Sequence, residues 1–291
     1  MTLIEAVERA AAQLDAAGVS FGHGTTSAFD EAAWLVLWRL GLPLDALGEH
    51  LERPLAAPEQ HAVQALVDER IATRRPAAYL TGEAWLQGVP FFVDARVIVP
   101  RSLIAEPLCH GSLESVWLPA SISPPRRVLD LCTGNGSLAV LAALQWPDAA
   151  VQATELSADA LAVARRNVER HGLDARIELR QGDGLAAATG RFDLILCNPP
   201  YVNSTSMAAL PPEYRAEPAL ALAGGADGMD FVRTLLAGVA AHLEPDGVLV
   251  LEIGHERAHF EAAFPQLHPA WISTSAGDDG VLLLARGQLA S

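Results

Sequence analysis

The sequence predicts an α/β protein: a mostly parallel sheet with helices on both faces, preceded by a small helical unit and a β-hairpin. Three observations predict it. After Pro124-Pro125, short β-rich runs alternate with helix-like segments, as in a parallel sheet covered on both sides. Up to residue 83 the apolar repeats are helical. Between the two, from Trp85 to Val99, the apolar period falls to two.

The elements follow in order. Leu3, Val7, Ala10 and Leu14 recur at helical spacing with acidic residues between them. A second helix is expected around Asp30 to Leu40, carrying Trp34, Leu35, Leu37 and Trp38 and stopping at Gly41 and Pro43. A third begins near Pro58 and sets Val63, Leu66, Val67 and Ile71 on one side, so the three stripes can close a small bundle core. The segment WLQGVPFFVDARVIVP has two β-rich runs separated by Asp94-Ala95, which predicts a hairpin with its turn there. It ends at Pro100-Arg101-Ser102 and leads into another apolar-periodic helix. These shifts divide the chain into a helical unit, 1–83, a hairpin connector, 84–105, and a sheet domain, 106–291.

Seven strands are expected in the sheet domain: RVLDL, AVQATE, ARIELR, FDLILCN, GVLVLEIG, and two in WISTSAGDDGVLLLARG around an Asp-Gly turn. SLAVLAALQW, SADALAVARRNVERHG and a stretch from about Met229 to His242 read as helices between them. In such sheets ligands bind beyond the carboxyl ends of the strands, so the loops there carry the argument.

The first strand runs into Asp130-Leu131-Cys132-Thr133-Gly134-Asn135-Gly136-Ser137. Gly134 and Gly136 permit a tight turn and let a ligand approach backbone at a helix N-terminus. Glu155 closes the second strand, 19 residues after Gly136, where a carboxylate can accept both hydroxyls of a ribose. Asp183, in QGDG after the third strand, can accept from the exocyclic amino group of an adenine. Singly each acid reads as a surface group or a cap; together, one per successive strand end, they point to an adenosine-bearing cofactor.

The fourth strand ends in Asn198-Pro199-Pro200-Tyr201, the most specific feature of the chain. Two prolines fix the backbone and remove two N–H donors, leaving carbonyls outward. The Asn198 side-chain oxygen and the Pro199 carbonyl can then accept both hydrogens of a planar –NH₂ group. Tyr201 adds an aromatic face for a planar substrate or a sulfonium.

The glycine loop, the two acids and NPPY together resemble an S-adenosylmethionine-dependent methyltransferase acting on an amino group. Within that superfamily the chain resembles the HemK/Prm glutamine N(5)-methyltransferases of translation proteins. PAAYLTGEAW, FFVDARVIVPRS, DLCTGNGS, NPPY and EPALALAGGADGMDF carry the likeness over nearly the whole length. Release-factor enzymes of this group usually carry Pro-Arg-Pro with Thr-Glu after the hairpin. Here Pro100-Arg101-Ser102-Leu103-Ile104-Ala105-Glu106, with Ala78-Tyr79-Leu80-Thr81 and Ala84-Trp85, resembles the PrmB branch. The resemblance implies a Rossmann-like methyltransferase sheet, S-adenosylmethionine as cofactor, and a glutamine of large-subunit ribosomal protein three as substrate. It implies that Asp130, Gly134 and Gly136 cradle the methionine end, Glu155 the ribose and Asp183 the adenine, with Asn198 against both cofactor and substrate. Asn198, Pro199 and Tyr201 would be catalytic, with Pro200 completing the substrate pocket. Arg101 would sit near the methionine or the active-site mouth, and the helical unit would choose the substrate. Glu217-Pro218 and Asp227-Gly228 match the family without a chemical role.

Composition limits the rivals. Of 291 residues, 51% are apolar and 19% charged, enough for a substantial core. The net charge is −15, and all 20 basic residues are arginine, which removes Schiff-base lysines and the Walker lysine. Before Arg127 there are 9 basic and 15 acidic residues, and from Arg127 on 11 and 20, so neither part is a basic module. Direct nucleic-acid binding is therefore disfavoured, and with it an adenine amino-methyltransferase, the nearest rival reading of NPPY. A release-factor glutamine methyltransferase is the alternative within the family. No proton donor for a nicotinamide oxidoreductase is evident. The three cysteines suit a reducing compartment, and no signal peptide or membrane-length apolar run is seen, so a cytoplasmic protein without a membrane partner is expected. His255-Glu256-Arg257-Ala258-His259 matches the H-E-x-x-H zinc pattern, but no glutamate lies beyond Glu261 as a later ligand, and no metal is expected.

Overall fold

The computed structural model describes residues 1–113 and 124–289; part of the predicted 106–291 unit, 114–123 and its last two residues, lies outside them. A seven-stranded sheet has the order β5-β4-β3-β6-β7-β9-β8, with β3 Arg127–Leu131, β4 Ala150–Glu155, β5 Ile177–Gln181, β6 Phe192–Cys197, β7 Leu243–Glu252, β8 Ala270–Thr274 and β9 Gly277–Ala285. The first five are parallel; β9 runs antiparallel between β7 and β8. The chain moves outward one way from β3 and the other way from β6, so the topological switch lies between these two.

Both faces of the sheet are covered, which is why RVLDL and FDLILC read as apolar runs without alternation. The alternation instead divides two cores. Val128, Leu194, Leu196, Val248 and Val250 pack with Leu138 to Ala143 of the helix Ser137–Gln145. Leu129, Leu131, Ile195, Leu249 and Leu251 pack with Val232, Leu235 and Phe260 on the other face. Truncating a fully buried leucine such as Leu129 or Leu249 to alanine would cost about 2–5 kcal/mol.

The helical unit holds α1 Leu3–Ala16, α2 Ala28–Arg39, α3 Ala57–Thr73 and the short α4 Ala77–Thr81. Thr2 starts α1 with a capping box: its hydroxyl accepts from Glu5 N while its own N–H donates to Glu5 Oε2 at 2.8 Å. Ser27 caps α2 by accepting from Asp30 N at 3.1 Å. Arg70 of α3 is fully buried and donates to Glu31 at 2.7 Å and to the Ser20 carbonyl.

Two turns differ from the sequence reading. The hairpin pairs β1 Glu83–Leu86 with β2 Val89–Phe92 and turns at Gln87-Gly88, before Asp94-Ala95. Both turn residues have positive φ, 51° and 74°, the backbone that matches the twist of a two-residue hairpin. Asp94 instead closes onto Arg96, accepting from its backbone and side chain. Near the C-terminus the β8–β9 connection is Ser275-Ala276, and Asp279-Gly280 lies within β9, because Ser275 N is anchored on the Glu106 carboxylate at 2.9 Å.

Candidate active site

Leu131 at the end of β3 stands in register with Cys197 at the end of β6, so the glycine loop and NPPY emerge side by side at the switch point. The glycine loop is tightly wound. Cys132, Gly134 and Gly136 all have positive φ, and a Cβ at Gly136 would stand 3.3 Å from Ala164 Cβ. Asp130 lies beneath the loop, 1% exposed; its Oδ2 accepts from the Thr133 hydroxyl and from Ala139 N at 3.0 Å, while Oδ1 has no partner among the described residues. Burial pushes its carboxyl up to about 7 against those two hydrogen bonds. From the helix Ala158–Arg170, fully buried Asn167 donates to the carbonyls of Asn135, at 2.8 Å, and Phe92, and accepts from Phe92 N at 2.7 Å. It pins the hairpin to the glycine loop.

Glu155 reaches the same loop. Its Oε2 accepts from Gly134 N and its Oε1 from Ser157 N, each at 2.9 Å. One lone pair on each oxygen is left for a diol. Asp183 is exposed at the end of the loop after β5, and its side chain makes no hydrogen bond among the described residues. A narrow cleft of about 150 Å³ is lined by Gly134, Glu155, Asp183 and Asn198, with apolar Leu156 and Phe231. Leu156 is 49% exposed, an apolar surface left for a flat ligand to cover. Asp130 and Gly136 do not line this cleft: they shape the loop from behind. An adenosine, whose diol and exocyclic amine donate, fits this set of acceptors.

Past Asn198 opens a wider groove of about 580 Å³, lined by Asn198, Pro199, Tyr201, Arg101, Tyr214 and Glu252 among others. Pro200 faces the narrow cleft. Ile98, Asn198 and Ala221 line both cavities, and the Asn198 side chain has no hydrogen-bond partner among the described residues.

The NPPY loop is backed by the chain from Leu222 to Gly228. Val202 N donates to the Leu222 carbonyl at 2.8 Å, and Gly224 N returns a bond to the Val202 carbonyl at 2.9 Å. A Cβ at Gly224 would fall 2.7 Å from Tyr201 Cα, and one at Gly228 would strike the Tyr201 carbonyl at 2.2 Å. The glycines of AGGADGM thus allow the close approach that fixes NPPY. Asp227 stiffens the segment by accepting from Met229 N and pairing with Arg233.

Two buried acids in this region, Glu252 and Glu213, escaped the sequence reading, and a third, Glu217, matched the family there without a chemical role. Glu252, 2% exposed at the end of β7, accepts from the Tyr201 hydroxyl at 3.1 Å, the Ser102 hydroxyl at 2.6 Å and Leu103 N at 2.9 Å. Burial raises its carboxyl, and burial raises the Tyr201 hydroxyl well above its ordinary value, so Tyr201 stays a neutral donor. Glu217 forks onto Arg101 at 2.6 and 2.7 Å and accepts from Val99 N at 2.9 Å. Burial alone would raise it, but neighbouring His23 and Arg101 outweigh that and hold it at about 2. Glu213 enters the helical unit, where Ser20 N donates to it and Arg74 pairs with it at 2.6 Å. An acid ending an apolar strand, as in GVLVLEIG, was a usable signal for Glu252 because it repeats the pattern of Asp130. Glu213 had none, and Glu217 had only its family match, since their partners lie far away in the sequence.

The HExxH segment takes another form. The helix Arg257–Ala263 starts after Glu256, whose carboxylate accepts from Asn203 Nδ2 at 2.7 Å and contacts His259 Nδ1 at 2.5 Å. Among the described residues no group of three or more His, Cys, Asp and Glu is placed to hold a metal ion.

Known proteins share this plan. The family model for the Methyltransferase small domain matches residues 117–210, and that for the PrmC N-terminal domain matches 5–82. A ribosomal protein uL3 glutamine methyltransferase of Bordetella pertussis is 55% identical over 99% of this chain and 96% of its own length. Those of Burkholderia pseudomallei and Neisseria gonorrhoeae are 51% and 46% identical, each over 99% of this chain and 95% of the relative.

Proposed function

We infer, because this chain belongs to the ribosomal protein uL3 glutamine methyltransferase family, that it transfers a methyl group from S-adenosylmethionine to the side-chain amide nitrogen of a glutamine in uL3. One observation supports the reading above the others: Asn198, its amide without a hydrogen-bond partner among the described residues, stands in the wall common to the cofactor-sized cleft and the open groove.

When bound, S-adenosylmethionine supplies a methyl carbon on a sulfonium, so the reaction is an in-line displacement with a neutral thioether leaving, and the methylated nitrogen, now acidic, gives up one N–H proton to water. On this chain, Gly134 and Glu155 would hold the cofactor's amino-acid and ribose parts, and Asp183 its adenine amine. Asp130 would act through the loop it supports. Asn198 Oδ1 and the Pro199 carbonyl would accept both N–H hydrogens of the glutamine amide. An amide nitrogen is a poor nucleophile, and two fixed acceptors stop the –NH₂ turning and favour the positive charge that develops on nitrogen as it attacks. Positioning of this kind lowers barriers by up to ~7–11 kcal/mol, whereas one hydrogen bond contributes a net ~0.5–1.5 kcal/mol. Geometry therefore dominates. Tyr201, held by Glu252, would wall the substrate amide. A glutamate would place its oxygens against two acceptors with no proton between them and be rejected.

We assign 1–83 to substrate recognition, 84–105 to connection and 106–291 to methyl transfer. Glu213 seated on Arg70 and Arg74 supports this, because it ties the helical unit to the segment walling the groove. Among the described residues no helix is long and apolar enough to cross a membrane. A ribosomal-protein substrate fits action in the cytoplasm. The test is incubation with labelled S-adenosylmethionine and, separately, unmethylated uL3, a release factor and DNA. Label on a uL3 glutamine, located by mass spectrometry, is expected. Label on the release factor alone would move the substrate, and label on DNA alone would overturn the amide reading.

A further inference from the structure

Arg101 is the cation whose placement in the groove the reaction above leaves unused. Its guanidinium is clamped on one side: Nη1 donates to Glu217 Oε1 and the Val99 carbonyl, and Nη2 to Glu217 Oε2. Its Cζ lies 5.3 Å from the centroid of the Tyr214 ring. Tyr214 is in turn backed by His23 of the helical unit, the two rings 4.2 Å apart, and His23 Nε2 stands 3.6 Å from Glu217 Oε2. A planar cation held by a fork and a ring face has a fixed direction.

Two of its five N–H groups remain. The Nε–H and the second hydrogen of Nη2 have no acceptor among the described residues, a quarter of the side chain is exposed, and Arg101 lines the wide groove but not the narrow cleft. Its charge is matched by fully buried Glu217, and Glu252, Glu256, Asp278 and Asp279 also line the groove. An incoming carboxylate or phosphate would meet excess negative charge. A neutral acceptor would not.

We infer that Arg101 is a substrate-binding residue whose free Nε–H and Nη2–H take a main-chain carbonyl of the peptide carrying the target glutamine. Glu217, Tyr214 and His23 are the positioning residues behind it. The helical unit thereby acts on how the peptide lies beside Asn198 without touching the amide. This rests on the reaction proposed above.

The experiment uses the full-length enzyme, purified uL3 and S-adenosylmethionine, with Arg101→Lys and Tyr214→Leu. Lysine keeps the charge facing Glu217 but loses the fork and the Nε–H; leucine keeps Arg101 but removes its ring support. For Arg101→Lys, KM for uL3 should rise at least tenfold, with kcat and calorimetric cofactor affinity near wild type. Tyr214→Leu should give a smaller rise of the same kind, and serves alone if the lysine variant does not fold. Unchanged KM for uL3 in folded variants overturns the inference, as does lost cofactor affinity with KM unchanged, which would assign Arg101 to the cofactor. Failure of the underlying reading shows separately, as absence of label on uL3 with the wild-type enzyme.

Discussion

The narrow cleft and the wide groove meet at Asn198 but are built by different means. The cleft draws most of its polar groups from the ends of neighbouring strands β3, β4 and β5 and the short loops after them, and its central contact runs from Gly134 N in the glycine loop to Glu155, the last residue of β4. The groove is fixed by buried acids matched to partners far off in sequence: Glu217, behind its wall, with Arg101, and Glu252, in the wall, with Tyr201 and Ser102. A cofactor of fixed shape can be met by local turns at the edge of a parallel sheet. A peptide groove has to be assembled from distant segments, and buried acids bonded to partners from those segments hold them in register.

The largest expected effect falls where the two regions join. Asn198→Ala should reduce turnover by at least ~100-fold, since one of two fixed partners of the reacting group is gone. Cofactor affinity, measured by calorimetry, should stay near wild type. Turnover equal to wild type would show that Asn198 separates nothing and does not hold the amide.

Glu155→Ala should act on the cleft alone. Hydrogen bonds to a charged group contribute ~1.5–3 kcal/mol, so cofactor affinity should fall by about 10- to 100-fold. Initial rates at saturating cofactor should show kcat and KM for uL3 little changed. A change confined to the protein substrate would break the division between the cavities.

Asn167→Ala tests the peg between hairpin and glycine loop. It leaves the Phe92 N–H and two carbonyls without their partner, at a cost of ~1–3 kcal/mol for each buried group that water cannot reach. A lower urea midpoint is expected, and no loss would mean that water replaces the amide.

A pH dependence is expected as well. Asp130 titrates at about 7 in the fold against an ordinary 3.8, so the folded state holds its proton more tightly than the unfolded chain. Its contribution is fully present below the unfolded value and is lost as pH rises through about 7. In Asp130→Asn that part of the slope should disappear, so the variant gains on the wild type between pH 4 and 7. Parallel urea midpoints for both proteins across this range would remove Asp130 as the source.

This contrast also explains what the sequence disclosed. RVLDL, FDLILCN and GVLVLEIG were legible because strands covered on both faces need largely apolar runs, and DLCTGNG and NPPY because glycine and proline limit what the backbone can do. Gly224 and Gly228 could be matched to a family pattern but not explained, since their necessity lies in contacts with Tyr201 that only the folded chain makes. The hairpin turn was misplaced because Asp94-Ala95 looks like a turn, whereas Gln87-Gly88 carries the needed positive φ on a residue that seldom adopts it. Asn167, and the role of Glu217, were invisible for a third reason: a polar residue in a loop or on a helix reads as solvent-facing until its buried partners are known.

The wall shared by the two cavities has a pharmacological corollary. Ile98, Asn198 and Ala221 form a common partition, so a single molecule carrying an adenosine at one end and a glutamine-like peptide at the other could occupy both sides by bridging past it. Each half would then raise the effective concentration of the other, so a linked ligand of matching span would bind far more tightly than either fragment alone.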